Sequence, residues 1–370
     1  MKCKTIIKYL EDWAPKEIAW GKDNVGLQIG TTEREIKNIM LSLDLDEKVV
    51  SQALKKNCNL LITHHPLLFK PLKKIDTYGD KISRLVESLI KNELTLYSAH
   101  TNLDYTKDGV SFQLAKRLNL HNIKFLNNLT ENQVKIVVFV PEENLEKVAE
   151  VIHLAGGGVI GEYSNCSFRT AGTGTFKGSR ASKPFTGKKE KLESTKEIKL
   201  EVIVDSWKIH KVIKEMISVH PYEEPAYDIY PLKNENTKYG IGAIGTLQSS
   251  MTKNEFLSHV SKQLKIKNFR YSNGKSGRIN KVAVCGGSCS EHLEKAISIG
   301  ADAFVTADLK YHSFQDAEDR ILFIDAGHYE TEIPVMDFVQ KKLQGFLTKE
   351  SRIKVFKYSG STNPVNFYNN

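Results

Sequence analysis

The chain predicts an α/β fold: a discontinuous α/β domain with a mixed sheet flanked by helices, interrupted by an inserted ferredoxin-like α+β domain. Three observations predict it. In the first third, short β-branched and apolar runs alternate with helical stretches of about ten residues, the mark of βαβ units. The last third repeats that alternation, and no short-period repeat links the two. Between them the pattern changes to a β-α-β…β-α-β order over about 110 residues, the ferredoxin-like arrangement. Residues 1–126 and 241–370 are assigned to the outer domain and residues 127–240 to the insert.

Each element has its own warrant. Residues 36–45 (IKNIMLSLDL) form a strand-like run, followed by a helical stretch at 47–56. Residues 59–63 (NLLIT) form a short buried-type strand, 80–90 an amphipathic helix, 94–99 (LTLYSA) a strand and 109–118 a helix. In the last third, 281–285 (KVAVC), 303–306 and 321–325 (ILFID) are strands. They alternate with helices at 291–299, closed by Gly300, and at 309–317. The final helix, 333–344, carries Pro334 in its first turn, where a missing N–H is harmless. The insert holds strands at 134–140 (VKIVVFV) and 198–204 (IKLEVIV), helices at 143–155 and 207–218, and an extended run at 225–231. A glycine cluster at 156–158 and a polar loop at 171–196 separate its halves.

Composition narrows the class. A chain of 370 residues can bury more than one core, and 40% apolar with 26% charged residues is ordinary for a soluble globular protein. No apolar run approaches the roughly 18 residues of a membrane span. Charges interrupt residues 1–13 too often for a signal-peptide core, so the expected location is the cytoplasm. The net charge of +9 invites a nucleic-acid reading, but 9 of the 53 basic residues are arginine and the lysines are spread along the chain. Base readout and phosphate clamps favour arginine, so no specific nucleic acid is expected as partner. The five cysteines (Cys3, Cys58, Cys166, Cys285, Cys289) are odd in number and scattered, which argues against a disulfide framework. Cys285 and Cys289, in a Gly-Gly-Ser loop, lack a neighbouring Cys/His pair to complete a zinc site.

The chemistry gathers at strand ends. His64-His65-Pro66 follows one strand, the run from Ser98 to Asp104 another, and Gly327-His328-x3-Glu332 a third. In an open α/β sheet, ligands collect outside the carboxyl ends of strands. Two divalent ions about 3.5–4 Å apart require neutral imidazoles and a carboxylate able to bridge. His64 and His65 point different ways on an extended backbone, which Pro66 favours, so each can serve a different ion. His328 and Glu332 share one helix face. His64, His65, Asp104, His328 and Glu332 would therefore hold two divalent metal ions per chain, zinc first, then iron, manganese, nickel or magnesium. Five ligands leave open positions, as a reactive site does. Taken singly, the His pair reads as packing, Asp104 as a cap for the helix near residue 109, and His328 with Glu332 as a surface pair.

Further residues stand close to these motifs. His100, Asp308 and His312 are candidates for orienting ligand imidazoles or shuttling a proton. Asp308 serves equally well as a cap for the helix that follows it. Gly286-Gly287-Ser288 could receive a phosphate on backbone N–H groups. His220 and Glu223 sit in a turn that Pro221 and Pro225 explain as well as any ligand would.

These motifs resemble those of the dinuclear-metal family of GTP cyclohydrolase 1 type 2 homologues, the NGG-interacting-factor-like proteins. The resemblance extends to Asp23-Asn24-Val25-Gly26-Leu27-Gln28, to the run from Thr306 to His312, and to Thr362-Asn363-Pro364, and so covers almost the whole chain. It implies the same five metal ligands and a toroidal homohexamer with its metal sites facing an internal cavity. The stretch from His220 to Tyr227 resembles the insert of longer members, which implies a PII-like or CutA-like domain. Two positions depart from the family pattern, with Cys289 and Ala307 where glycine is usual. Two classes of function fit. One is a metal-dependent hydrolase acting on a nucleotide or related small molecule, GTP cyclohydrolase-like by resemblance, in which paired ions ready a water for attack. The other is a non-enzymatic metal-binding regulatory or scaffold assembly.

Overall fold

The computed structural model describes residues 1–275, 277–347 and 352–368. The chain forms two compact units, one from Met1–Asn127 and Tyr239–Asn370, the other from Asn128–Lys238.

The first unit holds two mixed sheets flanked by helices, where the sequence reading expected one. The five-stranded sheet runs Gly26–Ile29, Thr95–Ser98, Leu60–Thr63, Asn38–Ser42, Lys354–Lys357. Its first pair is antiparallel and the others parallel. Alternation along the strands decides what covers each face. Ile39, Leu41, Leu60 and Ile62 pack against Ile6 and Leu10 of the helix Cys3–Trp13 and against Val335, Val339 and Leu343 of Pro334–Phe346. Met40, Leu61 and Leu96 face the helices Glu47–Lys55 and Lys81–Lys91 through Val49, Ala53, Leu85 and Leu89. Both faces are covered, which is why these strands read as continuous apolar runs.

The six-stranded sheet runs Arg270–Tyr271, Leu322–Asp325, Ala303–Ala307, Ile279–Ser288, Gly240–Met251, His121–Asn128. Its three central strands (322–325, 303–307, 279–288) are parallel, and Arg270–Tyr271 and Gly240–Met251 add antiparallel neighbours. Gly240–Met251 carries three glycines and little apolar alternation, so its sequence signal is weak. In the pairing of Ile279–Ser288 with Ala303–Ala307 the register shifts between Val284 and Ser288. That bulge places Cys285 and Cys289 with Cα atoms 6.1 Å apart, and they form a disulfide. The sequence reading argued against a disulfide framework and did not foresee this single pair, because spacing in sequence alone did not reveal the bulge.

The second unit has four antiparallel strands in the order Phe168–Lys177, Leu192–Asp205, Gln133–Val140, Tyr227–Leu232. The helices Leu145–Leu154 and Ile209–Val219 follow the strands Gln133–Val140 and Leu192–Asp205. Ile136, Val138, Leu200 and Val202 pack on Val148, Ile152, Val212 and Met216 of those helices. Much of the expected polar loop at 171–196 is a long hairpin, Phe168–Lys177 with Leu192–Asp205. Most of the arm Phe168–Lys177 is solvent-exposed, so no apolar alternation announced it. The chain enters and leaves this unit side by side: Asn236 N–H donates to Leu129 O at 2.8 Å, and Asn128 Nδ2 donates to Asn236 O at 2.7 Å. Among the described residues, no helix is long and apolar enough to cross a membrane.

Candidate metal centre

The first unit brings His64, His65, Asp104, His328 and Glu332 together, from the ends of both sheets. His64 and His65 follow the strand Leu60–Thr63, and their backbone N–H groups donate to Leu43 O, past the neighbouring strand. Asp104 closes the one-turn helix Thr101–Asp104, just beyond the strand Thr95–Ser98. His328 opens and Glu332 closes the short helix His328–Glu332, after the strand Leu322–Asp325 of the other sheet. Three strand ends thus converge, but from two sheets and not from one rim.

Glu332 lies at the middle, 3% exposed. Its Oε1 is 3.1 Å from His328 Nε2 and 3.7 Å from His64 Nε2, and its Oε2 is 3.0 Å from His65 Nε2. His64 Nε2 is 3.6 Å from Asp104 Oδ1, and the Nε2 atoms of His65 and His328 are 3.3 Å apart. Ligand-type atoms of His65, His328 and Glu332 all lie within 4.8 Å of one another, as do those of His64, His65 and His100. The second cluster therefore includes His100, which the sequence reading placed beside the ligands and not among them.

Each imidazole is oriented from behind. His64 Nδ1 donates to Ala99 O at 2.8 Å, and His65 Nδ1 to Asp44 Oδ1 at 2.7 Å. His328 Nδ1 donates to Asp308 Oδ2 at 2.7 Å, and His100 Nδ1 to both oxygens of Asp23 at 2.9 Å. Because carbonyl and carboxylate oxygens only accept, the Nδ1 atoms carry hydrogen and the Nε2 atoms face the cluster. A carboxylate behind a histidine is the usual support of a metal-binding imidazole.

Charge follows the same geometry. Burial would lower the His65 imidazole, but Asp44 and Glu332 outweigh it and raise the pKa to about 10. His328 is raised to about 9, where Glu332 and Asp308 likewise overcome burial. The fully enclosed His64 is pushed down by burial and stays neutral. Burial and the Glu332 charge lift Asp104 well above the carboxylate range, while the imidazoles hold Glu332 well below it despite burial. Asp23 falls to about 2: burial opposes the shift, but hydrogen bonds from His100 and Thr101 prevail.

Three buried polar atoms lack a hydrogen-bond partner here: His64 Nε2, Asp104 Oδ1 and Glu332 Oε2. His65 Nε2 approaches Glu332 Oε2, but off the hydrogen-bonding direction. Buried polar atoms are costly to leave unpaired, and Asp104 Oδ1 at 3.6 Å and Glu332 Oε1 at 3.7 Å from His64 Nε2 make a cradle that fits a cation.

Asp308 supports His328 and does not cap the next helix, whose N-cap is Lys310; its φ of +56° turns the chain at that point. His312 is not brought to the cluster: it is exposed, and its Nδ1 meets Gln315 Oε1 one turn along. His220 braces its own turn, with Nε2 donating to Phe139 O and Nδ1 accepting from Tyr222 N–H. Glu223 accepts the Lys183 N–H. The sequence reading missed Asp44 and gave Asp23 no role. Asp44 lies just past the carboxyl end of the strand Asn38–Ser42, beside the strand that delivers His64 and His65, and that position was its signal.

A cleft of about 420 Å³ opens beside His65 and His328, with Phe269, Arg270, Tyr329, Asn363 and Phe367 in its wall. A model of the Duf34/NIF3 (NGG1p interacting factor 3) family matches residues 1–364. A protein of Halalkalibacterium halodurans called GTP cyclohydrolase 1 type 2 homolog is 41% identical, with 98% of each chain covered. One of the same name from Bacillus subtilis is 39% identical over 98% of this chain and 97% of its own. The crystal structure of a Bacillus cereus protein related to NIF3 covers 100% of this chain and 99% of its own, with 36% identity and a TM-score of 0.84.

Proposed function

The chain belongs to the Duf34/NIF3 family, and from that premise we propose that its first unit is a two-metal centre of a hydrolase acting on a nucleotide or related small molecule. The observation that carries the reading is the trio of unpaired buried atoms on His64, Asp104 and Glu332. In this reading His64, His65, Asp104, His328 and Glu332 would hold the cations, with Glu332 facing three imidazoles. Zinc suits this mixture of imidazole and carboxylate best, with iron, manganese, nickel and magnesium as alternatives. When bound, paired cations would acidify a water and polarise the atom it attacks.

The rest falls to the chain. Asp44 and Asp308 keep the His65 and His328 rings turned inward, as the Ala99 carbonyl does for His64. His100, tethered through Nδ1 to Asp23, offers its Nε2 as a proton carrier beside His64 and His65. The cleft is large enough for a small organic ligand, with aromatic walls for a ring and an arginine for an anion. A guanine nucleotide is the first candidate, because close relatives carry the name of a GTP cyclohydrolase homologue.

The second unit, in this proposal, is an inserted ferredoxin-like domain of the PII-like or CutA-like kind, supported by its βαββαβ order and antiparallel sheet. The whole assembles as a homohexamer in the cytoplasm, and light scattering checks the mass. The alternative, a metal-binding regulatory assembly, draws support from a separate cavity of about 650 Å³ within that second unit. Metal-loaded protein screened against nucleotides, phosphoesters and amides separates the two. The hydrolase reading expects turnover that chelator abolishes and that Asp104→Ala lacks. Two bound ions with no turnover on any of the three would reject it for the regulatory one.

A further inference from the structure

Cys285 and Cys289 bridge a bulge that lies directly beneath Glu332. Gly287, between them, has φ +68°, and a Cβ built there would stand 2.3 Å from Glu332 Oε1. Beside the ladder pairing of Ser288 with Ala307, the bulge is held by further hydrogen bonds to neighbouring elements. Gly287 N–H donates to Thr331 Oγ1 at 3.0 Å, Thr306 Oγ1 donates to Gly287 O at 2.9 Å, and Gly286 N–H reaches Ser111 Oγ at 3.3 Å. Thr331 is the residue before Glu332, so any movement of the bulge is felt at that carboxylate from two directions. Cys285 is 3% exposed, whereas Cys289 is half-buried beside the exposed Ser288. Cys289 is thus partly exposed to solvent, and Cys285 is almost wholly buried. The other cysteines differ: Cys3 and Cys58 are buried with thiols pushed up to about 11 by burial, and the half-buried Cys166 has no cysteine partner.

We propose that Cys285 and Cys289 form a reversible thiol–disulfide site whose oxidation fastens the glycine bulge against Glu332 and so sets how firmly the first unit holds cations. The chemistry needs only a small-molecule disulfide as oxidant. The Cys289 thiolate attacks one of its sulfurs, giving a mixed disulfide and expelling one small thiolate. The Cys285 thiolate then attacks the Cys289 sulfur, expelling the second. The protein loses two thiols, the oxidant becomes two small thiols, and protons balance through solvent. A thiol reductant reverses both steps. With the bridge open, the bulge is restrained by its hydrogen bonds alone. Supports around metal-binding side chains typically change affinity 10–100-fold when removed, so about a tenfold difference is expected here.

The proposal rests on the metal-centre reading, and the test keeps the two apart. Full-length protein is equilibrated in glutathione buffers of stepped ratio, quenched by alkylation under denaturing conditions, and weighed. Three alkyl groups are expected at the oxidising end, on Cys3, Cys58 and Cys166, and all five cysteines modified at the reducing end. A count fixed at either value across the series would overturn the proposal. Hydrogen exchange of the peptide spanning 286–289, without metal, should be at least several-fold slower in the oxidised form. Equal exchange would also overturn it. Retention of Mn²⁺, which thiolates bind poorly, should be about tenfold longer in the oxidised form and insensitive to glutathione in Cys289→Ser. Equal retention in both redox forms counts against it. If the oxidised protein takes up no Mn²⁺ at all, the metal centre fails as a reading, and the thiol count and exchange data still decide the disulfide site.

Discussion

Asp44 and Glu332 on His65, and Glu332 with Asp308 on His328, give the metal-free protein two cationic imidazoles at neutral pH, next to a Glu332 that stays ionised. Both histidine pKa values are raised, so protonation stabilises the fold fully below the ordinary value of 6.5. That contribution declines as pH climbs and is gone above about 9 for His328 and about 10 for His65. The melting temperature of metal-free protein should therefore fall between pH 7 and 10, and less steeply in Asp44→Asn. A melting temperature that rises over this range would contradict the assignment. Cations compete with the same protons, so metal uptake should release protons and tighten as pH rises through this range. Asp104→Ala and Glu332→Ala should each lose at least one of two ions by elemental analysis. Asp44→Asn should keep both ions with affinity lowered roughly 10–100-fold.

At the scale of elements, the bulge in the strand Ile279–Ser288 makes a sharp prediction. Gly287→Ala places a methyl group against Glu332 in left-handed backbone, which costs about 1–2 kcal/mol for the backbone alone. Denaturant midpoints should show at least that loss, accompanied by loss of metal; an alanine variant with unchanged metal content would mean Glu332 can move aside. The capping box at Thr252 and Glu255 provides a control far from any chemistry: Thr252→Ala should cost about 1 kcal/mol with metal content unchanged. These elements also show what the sequence could disclose. The strands Leu60–Thr63, Thr95–Ser98 and Leu322–Asp325 are buried on both sides, so their apolar runs were visible, and with them the ligand motifs at their ends. Gly240–Met251 and Lys354–Lys357 were not, the first because glycine weakens the strand signal and the second because it is a short edge strand rich in lysine. Without them one sheet could not be told from two. The support of His65 by Asp44 and the Cys285–Cys289 bridge depend on a neighbouring strand and on a register shift, which spacing in sequence does not record.

For the whole molecule, the neck at Leu129 and Asn236 decides whether the second unit can be dispensed with. Because entry and exit are hydrogen-bonded neighbours, replacing residues 128–238 by a short Gly/Ser linker closes a gap that is already closed. The shortened chain should stay soluble and carry two ions, and aggregation or metal loss would show that the second unit completes the first. The five-stranded sheet has a different consequence, set by the direction of synthesis. Its strand Asn38–Ser42 takes its outer partner from Lys354–Lys357, with Lys354 and Asn38 316 residues apart. At a translation rate of roughly 5–20 residues per second, that edge waits on the order of 16–60 s on the ribosome for its cover. The second unit, whose four strands all lie between residues 133 and 232, can fold in the meantime. His64, His65 and Asp104 are likewise made more than 200 residues before His328 and Glu332, so the nascent chain carries three of the five cradle residues well before it acquires the other two.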